Sequence, residues 1–314
     1  MKPVQVIVNA GAGTGHDDER AAELRRKLLD AGLDAELTLA AGGDELIAAA
    51  RRAREGGAKL VVAGGGDGSM NAVASQIVGE GEEDKGIGAG IRFGVLPMGT
   101  LNHFAKDLGI PLDLDAAIAN LVSGVPVRVD VGEVNGRIFL NNSGLGLYPD
   151  MVRDREKQQS RLGRGKWPAA LWASLSALRR YPFLSIRLDV EGEHGKRERL
   201  ARRTPFVFIG NNAYTMQGLA VGVRERLDAG SLSLYVAQHP TRFGLLRFAL
   251  DALRGRLGET RDFDVLEAAA FEIDTHRRRL RVATDGEVTV MNAPLRYRSR
   301  PGALTVLVPA KKPL

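Results

Sequence analysis

The sequence predicts an α/β chain in two parts: an open, mostly parallel α/β domain and, after it, an antiparallel β-rich domain with helices. Three observations predict it. Through the first third, short aliphatic runs alternate with apolar positions at helical spacing, the pattern of parallel strands joined by crossover helices. Three of those runs end in glycine-bearing loops, NAGAG, GGGDGS and PMGT. From about Val125 the texture changes to strands of Val, Phe, Leu and Arg that face one another across Gly-containing turns.

Val4 to Val8 is the first strand. From Asp17 the apolar positions Ala21, Leu24, Leu28 and Ala31 recur on one helical face, with Asp17 or Asp18 placed to cap and Gly32 placed to stop. Ala35 to Leu39 reads as a strand, Asp44 to Arg54 as a helix, and Leu60 to Ala63 as a strand running into GGGDGS. A helix from Gly68 leads through the acidic loop GEGEEDKG to the strand Phe93 to Leu96 and the loop PMGT. In open α/β sheets ligands sit beyond the carboxyl ends of the strands, and all three glycine loops fall at that edge. The second domain is expected to contain VRVDVGEV with RIFLNN, then PFLSIRLDVEG, RTPFVFIGNN, GSLSLYVAQ, AAFEIDT and RLRVATDGEV as strands. Two helical stretches, Ala169 to Arg180 and Thr241 to Leu257, interrupt them, each apolar on one side and arginine-bearing on the other. No repeat, low-complexity tract or Pro/Ser-rich linker intervenes, so the two domains are expected to share an interface.

Composition narrows the function classes. The 314 residues carry 44 Lys plus Arg against 38 Asp plus Glu, a formal charge of +6 without a polycationic tail. With 44% hydrophobic and 26% charged residues the chain is a globular one. The aromatic content of 5%, with basic residues scattered among acids, argues against nucleic acid as a partner. The absence of cysteine excludes disulfides, thiolate metal sites and cysteine nucleophiles. The five histidines are too dispersed for a zinc signature. The amino-terminal MKPVQVIVNAGAG enters a strand at once, and no window is apolar enough to span a bilayer, so a cytoplasmic chain touching membranes only from outside is expected.

GGGDGSMN, Gly64 to Asn71, is the strongest local signal, placed between a buried strand and a helix. Glycines let the backbone approach an anion, and the free N–H groups and positive end of the helix hold it. A tight turn alone does not require three successive glycines followed by Asp and Ser. NAGAGTGH lacks the last glycine of G-x-G-x-x-G, so it is either a glycine turn or a second anion loop. In Pro97-Met98-Gly99-Thr100-Leu101-Asn102, Thr100 can contact a ligand or cap the next helix. No Walker sequence and no protein-kinase catalytic loop is present. Thr284-Asp285-Gly286-Glu287 reads as a hairpin turn, but its carboxylates also suit a base that takes the proton of an alcohol acceptor during phosphoryl transfer.

Together GGGDGSMNAV, LPMGTLNHFAKDLGIP and TDGE resemble the diacylglycerol kinase catalytic-domain family, bacterial lipid kinases related to sphingosine kinases and more distantly to NAD kinases and phosphofructokinases. NAGAG sits where that family has its first nucleotide loop, and NNSGLGLYPDMVRDRE where a strand opens the second domain. The resemblance implies a nucleotide-binding domain over 1–124, completed by 303–314, and a lipid-substrate domain over 125–302, with the active site in the cleft between them. It implies ATP and Mg²⁺ as cofactors and a diacylglycerol-like lipid as acceptor, hence a part in phospholipid biosynthesis. Carried over, Asn9, Ala10, Gly11, Ala12, Gly13, Gly65, Gly66, Asp67, Gly68, Ser69, Asn71, Gly99, Thr100 and Asn102 become nucleotide contacts. Asp285 and Glu287 become the candidate catalytic bases.

The chain departs from the family at several positions. Ala10 stands where many relatives have Pro, Ser69 where they have Thr, Ala72 where they have Glu and His103 where they have Asp. Ala229, in Leu227-Asp228-Ala229-Gly230, replaces an Asp associated with an accessory magnesium site, and alanine offers such a cation no side-chain oxygen. Reaching a bilayer is expected of the basic segment Arg153 to Lys166 with Trp167 and PAALWASLSAL, which otherwise reads as a solvated loop followed by a packed helix. Two other readings stand beside the lipid kinase: a soluble kinase of NAD or a sugar phosphate, and a catalytically silent nucleotide- or lipid-binding module.

Overall fold

The structure is a computed structural model that describes residues 4–10, 17–79, 90–146, 184–191, 197–214, 216–217, 220–221, 224–237 and 263–310. The acidic loop after Gly79, the basic segment Arg153 to Lys166 and both interrupting helical stretches lie outside the described residues. The chain divides into two compact units, one of residues 1–131, 136–140 and 300–314 and the other of 132–135 and 141–299.

The first unit alternates as its sequence predicts: β1 (Val4–Asn9), α1 (Asp17–Asp30), β2 (Ala35–Ala40), α2 (Gly43–Glu55), β3 (Leu60–Gly65), α3 (Asp67–Val78) and β4 (Arg92–Pro97). A short α4 (His103–Asp107), α5 (Leu114–Ser123), β5 (Val125–Val134) and β6 (Arg137–Phe139) follow. β1 pairs in parallel with β2 on one side and β3 on the other, and β3 pairs in parallel with β4. Strand order thus reverses between β1 and β3, which makes their carboxyl ends the topological switch point. Val6, Val8, Leu60, Val62 and Leu96 form one core with Leu24 and Leu28 of α1 and Ala117, Ile118 and Leu121 of α5. That helical spacing from α1 is the one legible in the sequence. Asp113 caps α5 by accepting from Ala116 N at 3.0 Å. α3 is buried almost all round, which accounts for its apolar and small residues after Asp67.

The second unit contains β7 (Asn142–Gly146), β8 (Leu184–Glu191), β9 (Arg197–Thr204), β10 (Phe206–Asn211), β11 (Met216–Gln217), β12 (Ala220–Val221) and β13 (Leu232–Ala237). After them come β14 (Phe263–Ala268), β15 (Ala270–Thr275), β16 (Arg279–Thr284), β17 (Glu287–Asn292) and β18 (Leu295–Val308). One antiparallel sheet runs β14-β13-β10-β7-β16-β17. In another, β8 pairs with β9 and β15, and β15 with the first residues of β18, Leu295 to Arg298. Tyr297 and Ser143 join the two sheets by a hydroxyl–hydroxyl bond of 3.1 Å. Burial pushes the Tyr297 phenol above its ordinary pKa of 10.0, opposed by its bond to Ser143.

β18 then enters the first unit, where Thr305 and Val306 pair in parallel with Arg92 and Phe93 of β4. Residues 125–131 also side with the first unit. There Asp130 accepts from Gly302 N at 2.8 Å and Arg128 Nε donates to Gly302 O at 2.9 Å. Glu133 and Arg298 pair bidentately in the second unit, with both bonds at 2.9 Å.

Candidate active site

In the first unit, the carboxyl ends of β1, β3 and β4 lie at the switch point, and the loops after β3 and β4 meet there. Asn9, at the end of β1, donates from Nδ2 to Ser69 Oγ at 3.1 Å, so the first loop is tied to the first turn of α3. Gly65 has φ +150, and a Cβ there would lie 2.5 Å from Ser69 Oγ, so only glycine brings β3 into that turn. A Cβ on Gly99 would lie 2.4 Å from Gly66 Cα. The backbones of the second and third loops therefore touch, and a side chain at Gly99 does not fit between them.

The helix cap beside this contact is not the one the sequence suggests. α4 begins at His103, and Thr100 is exposed three residues before it, so Thr100 does not cap. Asp67 does so from the first position of α3, accepting from His103 N at 3.1 Å and Phe104 N at 3.0 Å. Asn102, in the left-handed region at φ 51, folds back to accept from Gly99 N at 3.0 Å and to donate to Gly99 O at 2.8 Å. Asp67 and Asn102 thus fasten the third loop, whereas α3 starts at Gly66 with no side-chain cap. Its first N–H groups are therefore left without a side-chain acceptor from the cap residue. Asn71 is buried, donates from Nδ2 to Ile138 O at 3.3 Å and leaves Oδ1 without a partner among the described residues. Ala10 is half-buried after β1, and Gly68 half-buried in α3; Gly11, Ala12 and Gly13 lie outside the described residues.

In the second unit, Asp285 and Gly286 form the two-residue turn between β16 and β17, with φ 47 and 89. Oδ1 of Asp285 accepts from Asn141 N at 2.8 Å and Asn142 N at 3.0 Å, while its own N donates to Asn142 O at 2.9 Å. Asp285 is therefore pinned to the backbone entering β7. Glu287, at the start of β17, is exposed. The sequence treats the two carboxylates as equivalent candidates; the structure gives them different surroundings.

Sequence reasoning missed three contributors. Asn141 and Asn142 hold Asp285 by their backbones, and Arg224, 1% exposed, donates to Asn141 Oδ1 at 2.8 Å. The charged run VRERLDAG gives no hint of that burial, since its partners lie far along the chain.

The accessory cation does not fit the described residues. No group of three or more His, Cys, Asp or Glu is assembled among them to hold a metal. Asp228 pairs with Arg226 at 3.1 Å on the surface, and Ala229 N donates to Asn212 Oδ1 at 3.0 Å. No helix among the described residues is long and apolar enough to cross a membrane.

The profile of the diacylglycerol kinase catalytic domain matches residues 3–134, and that of the YegS C-terminal NAD kinase beta sandwich-like domain matches residues 150–308. A "Probable lipid kinase YegS-like" protein of Pseudomonas putida is 29% identical over 251 residues, 79% of this chain and 77% of its own. A protein of the same name from Pseudomonas fluorescens is 29% identical over 98% of this chain and 96% of its own. A "Diacylglycerol kinase" of Staphylococcus carnosus is 25% identical over 76% and 73%. In fold, the chain is similar to a crystal structure of a diacylglycerol kinase from Bacillus anthracis, with a TM-score of 0.68 at 18% identity over 98% of this chain and 97% of that one. Since the two profiles follow one another along nearly the whole chain, it belongs to the diacylglycerol kinase catalytic-domain family, a lipid kinase family, and is an enzyme.

Proposed function

We propose that the chain is an ATP-dependent kinase that moves the γ-phosphoryl group to the hydroxyl of a diacylglycerol-like lipid. The observation that carries this reading is the close approach of Gly66 to Gly99 beside the start of α3, which no side chain caps. Phosphoryl transfer asks a protein mainly for positioning and for charge placed around the phosphates, and backbone N–H groups at a helix start supply both. The nucleotide residues are Asn9, Ala10, Gly11, Ala12, Gly13, Gly65, Gly66, Gly68 and Ser69. Asp67, Asn71, Gly99, Thr100 and Asn102 complete the set, Asp67 and Asn102 by holding the loops. Mg²⁺ carried in with ATP would supply charge neutralisation at the transferred phosphate.

Glu287 is the base. The acceptor oxygen forms a bond to the γ-phosphorus as the bond from that phosphorus to ADP breaks, and the hydroxyl proton passes to the Glu287 carboxylate. Asp285 is unsuited to that task because its Oδ1 already holds two amides, and it sets the turn instead. Exposure of Glu287 and the pinning of Asp285 support this division. We place the enzyme in the cytoplasm, peripheral at the inner face of the membrane, with the segment Arg153 to Lys166 as its anionic-lipid contact. Changing Arg161, Arg164 and Lys166 to Glu lowers co-sedimentation with anionic liposomes on this reading, and unchanged binding removes it.

The deciding experiment is mass spectrometry of products after incubation with ATP, Mg²⁺ and a total lipid extract, with NAD and sugar phosphates as further acceptors. A phosphorylated glycerolipid, lost in Glu287→Gln while ATP binding persists, is the expected result. Phosphorylated NAD or sugar would move the enzyme to the soluble kinases, and nucleotide binding without any product would leave a binding module.

A further inference from the structure

Arg224 is among the largest fully buried side chains of the protein, and its position is unlike that of the surface arginines. Its Nη1 donates to Asn211 O at 3.0 Å and its Nη2 to Asn141 Oδ1 at 2.8 Å. The guanidinium carbon lies 5.3 Å from the centre of the Tyr214 ring, within cation–π range. Tyr214 in turn donates from its hydroxyl to Asn141 O at 3.0 Å, and Asn211 N donates to the same oxygen at 2.9 Å. Asn141 is therefore gripped at its side chain by Arg224 and at its carbonyl by Tyr214 and Asn211. Its remaining backbone group, the N–H, is one of the two that hold Asp285.

Burying a guanidinium away from water is unfavourable, and an apolar side chain of similar volume commonly fills such a space with equal or greater stability. Stability alone does not account for an arginine here. The hydrogen bonds leading from it end on the turn that carries Glu287.

We propose that Arg224 is a positioning residue for phosphoryl transfer: through Asn141 it fixes the amides that hold Asp285, and thereby sets where the Glu287 carboxylate stands. The proposal rests on the reading of Glu287 as base. The guanidinium touches neither substrate nor the transferred phosphate in this role. Its two bonds diverge from one planar group to two separate strand ends, a geometry a lysine ammonium reproduces only in part.

The test compares wild type with Arg224→Met, Arg224→Lys, Asn141→Ala, Asp285→Asn and the Arg224→Met/Asp285→Asn double variant. Lipid kinase turnover and hydrogen exchange at individual amides are both read. Arg224→Met is expected to lower kcat by about 10- to 100-fold, since displacing a reacting group by about 1 Å has effects of that order, while KM for ATP stays within about twofold. Exchange at the Asn141 and Asn142 amides should rise at least tenfold, with the α2 and β3 amides of the first unit unchanged. Arg224→Lys should recover part of both, and the double variant should be no slower than Asp285→Asn alone, because residues acting as one unit are not additive. If Arg224→Met does not fold, Arg224→Lys and Asn141→Ala carry the same two readouts. Wild-type exchange at those two amides in the folded variants, or a double variant slowed by the product of the single effects, overturns the proposal. A wild type that phosphorylates no lipid removes the kinase reading instead, and the exchange measurement still decides whether Arg224 holds the turn.

Discussion

Gly99→Ala tests the loop junction most directly. The added Cβ would stand 2.4 Å from Gly66 Cα, 2.8 Å from Asn102 Oδ1 and 3.1 Å from Gly66 N. Two of these neighbours are backbone atoms, which cannot rotate away. Carbon atoms pack at about 3.5–4.0 Å, so the two loops must part by at least about 1 Å. Overpacking of this kind destabilises by roughly 1–3 kcal/mol, and the melting temperature should fall by several degrees. The larger effect is on function, because opening the proposed phosphate site by about 1 Å is expected to lower kcat/KM for ATP on the order of 100-fold. The assay is ATP-dependent lipid phosphorylation at varied ATP beside a thermal scan. Gly43→Ala is the control, since nothing lies within 4 Å of a Cβ there. A Gly99→Ala enzyme with wild-type KM and kcat would refute the reasoning.

Asp67→Ala removes both amide bonds at the start of α4 and should destabilise the protein by about 1–2 kcal/mol in urea titration, with Asp67→Asn intermediate; an unchanged midpoint would count against the cap. Glu133→Gln leaves the Arg298 guanidinium without its bidentate carboxylate and should destabilise by about 2–4 kcal/mol. Adding Arg298→Met should recover most of that loss, and failure to recover would mean the pair is not the cause. At alkaline pH the folded state keeps the Tyr297 proton that the unfolded state releases near 10.0, so this contribution is full below pH 10 and declines above it. Tyr297→Phe should flatten the fall in stability measured between pH 9 and 11, and a slope identical to wild type would contradict the burial argument.

The α/β unit was legible because its strands are continuous aliphatic runs, buried as parallel strands are, and because glycine punctuates their carboxyl ends. The strands that escaped are those whose outward residues dominate their composition. β9 reads RERLARRT, with Ala201, Arg202 and Arg203 exposed, and β14 reads FDVLEA at the margin of its sheet. Local pattern also failed wherever a partner is distant. Thr100 is the natural cap to infer from sequence, but Asp67 reaches α4 from 36 residues upstream. The turn at Asp285 was legible from its Asp-Gly pair, while its attachment to Asn141 and Asn142 depends on bonds across 144 and 143 residues.

β18 gives the protein an order of assembly. The parallel sheet that begins at residue 4 has no neighbour for the outer side of β4 until Thr305 and Val306 exist. During synthesis the first-made strands therefore wait, with one margin open to pairing with other chains, until more than three hundred residues have been translated. A ribosome that stalls before residue 300 should release a fragment prone to aggregate or to be degraded, even though all three glycine loops have already been made.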